Sequence, residues 1–323
     1  MYDIGLAFFV YKRPEHTQQV VQSIIENQFC NIYIFQDGLR DRKDEENWKK
    51  VQEVIRPLQN LDGAYVELHI SETNKGLATS ITQGITYVLG RHKAVIALED
   101  DILLGKDYHK YASACFEKYE NAPHVMSLCA AGASDAVVAD KSYMQNYKYD
   151  VYFTYRLSSQ AFGTWRDRWK LYRRDREFAE AFWNDEEKKY QLGELAGKDN
   201  LEYLNAVINH PEKINTWALY WTILQVISRG VTVTPIRSLS SDIGRDGSGT
   251  NSTAPSRQFV TSITDLTERL QLPEVEDVVV DKYLMRRQNI VVENPRSIVR
   301  NIKLAFANIV RKLWYERILC FGK

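Results

Sequence analysis

The sequence predicts an α/β sandwich with a mostly parallel central sheet and a helical C-terminal extension. Three observations predict it. Short β-rich apolar runs alternate with helix-length stretches through the first third of the chain. The runs are nearly unbroken in apolar character, as befits strands covered on both faces. Each run also ends in a polar cluster, and in open parallel sheets ligands bind at the carboxyl ends of the strands.

The elements follow in order. Ile4 to Tyr11 (IGLAFFVY) reads as a buried parallel strand closed by Lys12-Arg13-Pro14. Pro14 suits the first turn of a helix reaching about Glu26, with Val20, Val21, Ile24 and Ile25 as its apolar face. Asn31 to Gln36 is a second strand, ended by Asp37-Gly38, and residues 44 to 59 read as helix. Tyr65 to Ile70 is a third strand, and the polar turn Asn74-Lys75-Gly76 precedes a helix from about Leu77 to Leu89. Ala94 to Leu98 is a fourth strand, followed directly by Glu99-Asp100-Asp101. Residues 107 to 120 read as helix, 145 to 169 are rich in Tyr, Phe and Trp, and 172 to 190 are highly charged, as in an exposed helix. Val231 to Pro235 is a late strand leading into a glycine-rich loop, Asp242 to Thr253.

With 44% hydrophobic and 26% charged residues in 323, the composition is globular. Formal net charge is zero, which argues against nucleic acid as a partner, since that would favour a basic surface. Cys30, Cys115, Cys129 and Cys320 have no CxxC spacing, so a metal or redox site of that type is excluded and a reducing compartment is expected. No basic region followed by a long apolar core opens the chain, and no window approaches about 18 uncharged apolar residues. A cytoplasmic location is expected.

Three adjacent carboxylates repel one another, so Glu99-Asp100-Asp101 calls for a compensating cation. Carboxylate oxygens are hard ligands suited to Mg²⁺ or Mn²⁺. A metal there would bridge a diphosphate and neutralise charge as that group departs. A solvated acidic turn is the alternative; the position at a strand's carboxyl end favours the metal. The stretch Val95 to Asp101 (VIALEDD) resembles the DXD-type segment of GT-A glycosyltransferases, which implies a GT-A type Rossmann-like sandwich. In the N-acetylglucosaminyltransferase I family the segment is also Glu-Asp-Asp and its last acid ligates the metal. The resemblance assigns that place to Asp101, with Glu99 and Asp100 on the donor side.

The same resemblance places the nucleotide at Tyr11 and Arg13, with Arg13 meeting the base or a phosphate. It implies that Asp37 accepts from uracil or an equivalent base. Asn74-Lys75-Gly76-Leu77 resembles the turn many such enzymes carry before their donor-side helix, with backbone N–H groups and Lys75 facing phosphate or ribose.

Ser158 to Trp169 (SSQAFGTWRDRW) resembles a motif of bacterial polysaccharide-assembly transferases, roughly S-S-W-G-W-x-T-W-x-D-R-W. Gln160, Ala161 and Phe162 depart from it. Aromatic rings stack on the apolar faces of sugars, so Gln160 and Phe162 are candidate substrate contacts in an altered pocket. Trp165 and Trp169, four apart, read as core on one helix face. Thr216 to Trp221 (TWALYW) resembles the S-W-D-x-x-W segment of these enzymes, which makes Trp217 a substrate contact; Ala218 stands where their Asp, a plausible base, would be. Ser241 to Thr250 resembles their N-I-G loop, with Asp242 replacing the Asn and Asn251 standing where His is common. Asp242 or Asp246 is then the candidate base for the acceptor hydroxyl, and Arg245 a candidate substrate contact. The glycines would let this loop close as a lid; a solvated flexible loop is the alternative.

The resemblance covers residues 1–255, with a nucleotide-binding half to about 105 and an acceptor half over 106–255. Residues 256–294 are expected to be a connector with short helices. Residues 295–323 carry Arg296, Arg300, Lys303, Arg311, Lys312, Arg317 and Lys323 against Glu316 alone, with Ile298, Ile302, Phe306, Ile309 and Leu313 at helical spacing. Such a basic amphipathic helix lies on an anionic membrane surface, or docks on the catalytic domain with its cations in solvent. The implied activity is metal-dependent transfer of a sugar from a nucleotide-diphosphate donor, a UDP-sugar, to a saccharide or lipid-linked saccharide at the inner face of the cell membrane. Two rivals stand beside it. A sugar nucleotidyltransferase wants a glycine-rich GxGxR-like loop where Tyr11-Lys12-Arg13-Pro14 stands, and a non-catalytic sugar- or lipid-binding protein on a decayed transferase fold is kept open by Ala218.

Overall fold

A computed structural model describes residues 2–211, 214–247, 262–266, 270–293 and 297–320. The predicted alternation is present: β1 (Ile4–Val10), α1 (Pro14–Glu26), β2 (Asn31–Gln36), α2 (Glu45–Gln59), β3 (Tyr65–Ile70), α3 (Leu77–Leu89) and β4 (Ala94–Glu99). After these come β5 (Ile102–Leu104), α4 (Tyr108–Tyr119), β6 (Val125–Leu128), the single-turn helices α5 (Asp135–Val138) and α6 (Lys141–Met144), β7 (Val151–Thr154), β8 (Phe162–Trp165) and the single turn α7 (Arg166–Trp169). The rest comprises α8 (Arg176–Trp183), α9 (Glu186–Ala196), α10 (Lys198–Asn209), α11 (Ala218–Ser228), β9 (Val231–Pro235), β10 (Ser240–Asp242), α12 (Lys282–Glu293) and α13 (Ser297–Cys320).

The main sheet has the order β3-β2-β1-β4-β8-β6-β9-β7. β1 lies parallel between β2 and β4, while β8 runs against β4 and β6, and β7 against β9. The 3-2-1-4 half is the Rossmann-like part, and the whole is an α/β sandwich around a mostly parallel sheet. Strand side chains alternate faces with period two. Leu6, Phe8, Val10, Ile32, Ile34, Ile96 and Leu98 share one core with residues of α1, α2 and α4. Ala7, Phe9, Tyr33, Val95 and Ala97 share the opposite core with residues of α3 and with Trp221 of α11. That two-sided burial is why β1 is apolar at every position.

Two expectations are corrected. Trp165 and Trp169 do not share a helix face: β8 ends at Trp165, which lies in the first core, and Trp169 lies in the second. The charged stretch 172–190 is not one exposed helix. Asp175 and Asp185 cap α8 and α9 separately by accepting from Phe178 N and Lys188 N, and Ala179, Phe182 and Leu192 are buried. The expected connector carries α12, a 12-residue helix docked on the body. Leu284 and Val291 are buried there, and the Arg287 guanidinium donates to the carbonyls of Val137 and Ala136, each at 2.6 Å.

α13 docks through Leu304 and Ala307 and leaves Ile302, Phe306 and Ile309 in solvent. Asp140 ties both terminal helices to the body. Its carboxylate accepts from Tyr283 Oη at 2.6 Å and Ser142 Oγ at 2.7 Å, and it pairs with Arg311 at 3.1 Å. Burial pushes the Asp140 carboxyl up, but the hydrogen bonds from Tyr283, Ser142 and Tyr143 N and the charge of Arg311 outweigh it and bring it down to about 2. A depressed carboxylate contributes stability above its unfolded pKa and loses it as the folded pKa is approached. Urea unfolding of the wild type should therefore lose about 2 kcal/mol relative to Asp140→Asn as pH falls from 4 to 2. Parallel pH profiles for the two proteins would contradict the anchor.

Candidate active site

The site begins with register. β1 pairs Phe9 with Glu99 of β4 and Val10 with Gln36 of β2, so the chain leaves all three strands side by side. Tyr11, Asp37 and Asp100 are thereby neighbours. Tyr11 N donates to Asp100 Oδ2 at 3.3 Å. Arg13 Nη2 donates both to Asp100 Oδ1 and, at 2.9 Å, to Asp101 Oδ2. The cation that three adjacent acids require is thus supplied here by the chain, and Arg13, read as a contact to base or phosphate, lies on the acids.

That cation does not balance the whole cluster. Burial, with Asp101 and Asp100 alongside, pushes the Glu99 carboxyl up to about 8 even with Arg13 opposing. Asp100 is raised by burial against the pull of Arg13. Asp242 is raised by burial and by Asp101, with Arg245 opposing. Four carboxyls therefore share one field at the carboxyl edge of the sheet.

Asp242 arrives from far along the sequence. β10 pairs antiparallel with β5, placing Asp242 opposite Ile102, and Ile243 N donates to Asp101 O at 2.9 Å. The Asp242 carboxylate accepts from Gly244 N at 3.0 Å and from Arg245 Nε at 2.8 Å. Gly244 lies so close to the acids that a Cβ there would sit 2.1 Å from Asp101 Oδ2. Asp246 is placed otherwise: it pairs with His16 Nε2 of α1 at 3.1 Å and is about half exposed. The rest of the glycine-rich loop, from Ser248 through Asn251 to Thr253, lies outside the described residues.

Asp37 and the 74–76 turn are brought together, with their polar groups turned on each other. Asp37 Oδ1 accepts from Gly38 N and Lys75 N, at 2.9 and 2.8 Å, and Oδ2 from Gly76 N at 2.9 Å. Asn74 Nδ2 donates to Gly38 O, and Lys75 Nζ to Gln83. The backbone N–H groups expected to face phosphate or ribose are therefore spent on Asp37. Gly76 takes φ +78°, and a Cβ there would meet Asn215 Nδ2 at 2.7 Å. Arg174 holds Asn215 through its side-chain oxygen at 2.8 Å.

The candidate substrate contacts divide. Gln160 accepts from Ser240 Oγ at 2.9 Å, coupling the start of β8 to β10, and Arg245 lies on Asp242. Phe162 and Trp217 do not face a pocket. Phe162 is fully buried, its ring 5.0 Å from Trp217 and 5.1 Å from Trp221, and Trp217 is 4% exposed. The stack expected with a sugar is, for these two, a stack within the second core. His16, Arg174, Asn215 and Ser240 were not singled out from sequence, and Gly244 was read only as a glycine lending the loop mobility. Arg174 meets Asn215 across 41 residues, Ser240 meets Gln160 across 80, and His16 meets Asp246 from the far end of the domain; no local signal marks them.

Hard carboxylate oxygens and excess negative charge suit a divalent cation. No three His, Cys, Asp or Glu side chains among the described residues, however, are arranged to hold one. Asp101 itself offers the hard oxygens such an ion takes, one of them accepting from Arg13 at 2.9 Å. Adding a methyl group at the crowded point tests the packing: Gly244→Ala should cost about 1–3 kcal/mol in urea unfolding, because Asp101 or the 243–246 turn must move. An equally stable variant would contradict that close approach.

No protein-family model matches the chain, and no curated protein sequence does. The solved structures it is similar to include glycosyltransferases. Against Staphylococcus aureus TarS the identity is 14% and the TM-score 0.32, covering 41% of this chain and 22% of that one. Against the mannosyltransferase PcManGT from Pyrobaculum calidifontis, solved in complex with GDP-Man and Mn²⁺, the values are 10% and 0.38, covering 52% and 46%. Against mouse xyloside xylosyltransferase 1 they are 9% and 0.36, covering 72% and 84%. Sugar nucleotidyltransferases also match. The chain spans about a fifth of TarS and under half of the mannosyltransferase. At these identities and TM-scores the likenesses carry no functional argument, and the fold stands on the strand order described above.

Proposed function

We propose that this chain is a glycosyltransferase that moves a sugar from a nucleotide-diphosphate donor, a UDP-sugar, to a saccharide or lipid-linked saccharide in the assembly of a cell-surface polysaccharide. One observation carries the reading: Arg13, Glu99-Asp100-Asp101, Asp242 and Arg245 converge at the carboxyl ends of parallel strands, where such sheets bind ligands. The nucleotide would lie over Tyr11 and the Asp37–Gly76 turn, with Lys75 and Arg13 toward its phosphates. A divalent cation, Mn²⁺ or Mg²⁺, held by Asp101 would neutralise charge on the departing diphosphate.

Ala218 leaves the base to be found elsewhere. Asp242 suits it better than Asp246. It is partly buried beside Asp101 and its carboxyl is raised by that burial, whereas Asp246 is half exposed on His16. A carboxylate raised toward neutral pH is the better proton acceptor.

The membrane part of the reading rests on α13. Its docked face is Leu304 and Ala307, so the apolar stripe Ile302, Phe306 and Ile309 is left to another surface. The sequence of this segment is strongly basic, and the combination suits an anionic bilayer. Among the described residues no helix is long and apolar enough to cross a membrane.

Release of nucleoside diphosphate from a panel of nucleotide sugars, with Mn²⁺ present, tests the activity. One donor should turn over, Asp101→Ala and Asp242→Asn should each lower kcat about 100-fold or more, and Asp246→Asn should retain most of it. No turnover of any donor would favour a decayed transferase fold. Nucleotide-sugar synthesis from a sugar phosphate and a nucleoside triphosphate would favour the nucleotidyltransferase. In flotation, the full chain should rise with phosphatidylserine vesicles and not with phosphatidylcholine alone, and Phe306→Ser/Ile309→Ser should weaken this about tenfold. Unchanged flotation of the double variant would remove α13 from the membrane reading.

A further inference from the structure

The counter-cation of the acids is built into the chain, and it stands where an incoming cation would have to go. Arg13 is one-fifth exposed, Asp100 6% and Asp101 20%. Both Asp100 oxygens are in use, one by Arg13 and one by Tyr11 N, whereas Asp101 gives a single oxygen to Arg13. Of the two bonds Arg13 makes, the one to the more exposed Asp101 is the one a solvent ion can reach.

Charge decides what can bind alone. A divalent cation arriving by itself is set against the fixed charge of Arg13. A diphosphate arriving by itself is set against the carboxylates of Asp100, Asp101 and Asp242. Arriving together they bring little net charge, and the guanidinium fork fits a phosphate as well as a carboxylate. We propose that Arg13 is an exchangeable counter-cation: it holds Asp100 and Asp101 while no donor is bound, and turns from Asp101 to the diphosphate when a divalent cation takes its place. This rests on the transferase reading above and adds a consequence to it. Metal and nucleotide bind cooperatively, by the same factor whichever comes first.

The test is Mn²⁺ binding to the full chain, followed by the electron paramagnetic resonance signal of free Mn²⁺, with and without UDP. UDP should tighten Mn²⁺ binding to the wild type by about tenfold or more. In Arg13→Gln, Mn²⁺ alone should bind about tenfold tighter than to the wild type, and UDP should add less than about threefold. Arg13→Lys should lie between, because an ammonium keeps the charge but lacks the planar fork that fits a phosphate; if Arg13→Gln fails to fold, this variant carries the comparison. Should Mn²⁺ alone bind the variant and the wild type equally while UDP still tightens the wild type, Arg13 is a fixed structural tie and the proposal is overturned, with the transferase reading intact. Should the wild type take no Mn²⁺ even with UDP, the metal-bearing reading of the site fails and the exchange fails with it.

Discussion

Arg13 set against Asp100 and Asp101 is the balance of charge on which the carboxyl edge of this sheet depends. Parallel pairing of β1 with β4 forces the end of one strand against the end of the other. Three acids at the end of β4 could not be gathered there uncompensated, and the nearest segment able to supply a cation is the one leaving β1. Pro14 at the first turn of α1 fixes the backbone just beyond Arg13, so the guanidinium is delivered from a rigid start. The elements added later in the chain are fitted around this pair. The β5–β10 ribbon brings Asp242 and Gly244 onto Asp101, and there is no room at Gly244 for even one methyl group.

A second economy lies beside it. Asp37 gathers three backbone N–H groups, two of them from the 74–76 turn 38 and 39 positions on. The bonds close the gap between the ends of β2 and β3 and set the start of α3, whose first residues lack a side-chain cap. Asp37 thus does the work of a cap from a different strand. The aromatic segment shows the same exchange of expected roles. With Gln160 and Phe162 in the places of two tryptophans, Phe162 is drawn inward to stack with Trp217 and Trp221, and the residue left facing β10 is the polar Gln160.

The C-terminal extension is an integral layer as far as it is described. Arg287 is 2% exposed, which is tolerable because its N–H groups meet two carbonyls of the body and the Tyr283 hydroxyl of its own helix. Asp140 performs the complementary task with donors from α12 and α13. The two charges, one on each side of the junction, tie the terminal helices to the body, and α13 as docked exposes Ile302, Phe306 and Ile309.

The sequence by itself determined the alternation of strands and helices, the two-sided burial of β1 and β4, and the presence of an acidic cluster at the end of β4. Those properties are local: they follow from apolar periodicity, from proline and glycine, and from adjacent like charges. It also singled out Arg13, Asp37, Gly76 and Asp242, but not the partners they take. Tertiary structure decided that Arg13 lies on the acids, that Asp37 spends its oxygens on a turn, that Phe162 and Trp217 are core, and that α13 docks by Leu304 and Ala307. Each of these is a competition for one partner among several across tens to hundreds of residues. Its outcome depends on strand order, register and the few ångströms of space left at positions such as Gly244, which no spacing of residue types along a chain encodes.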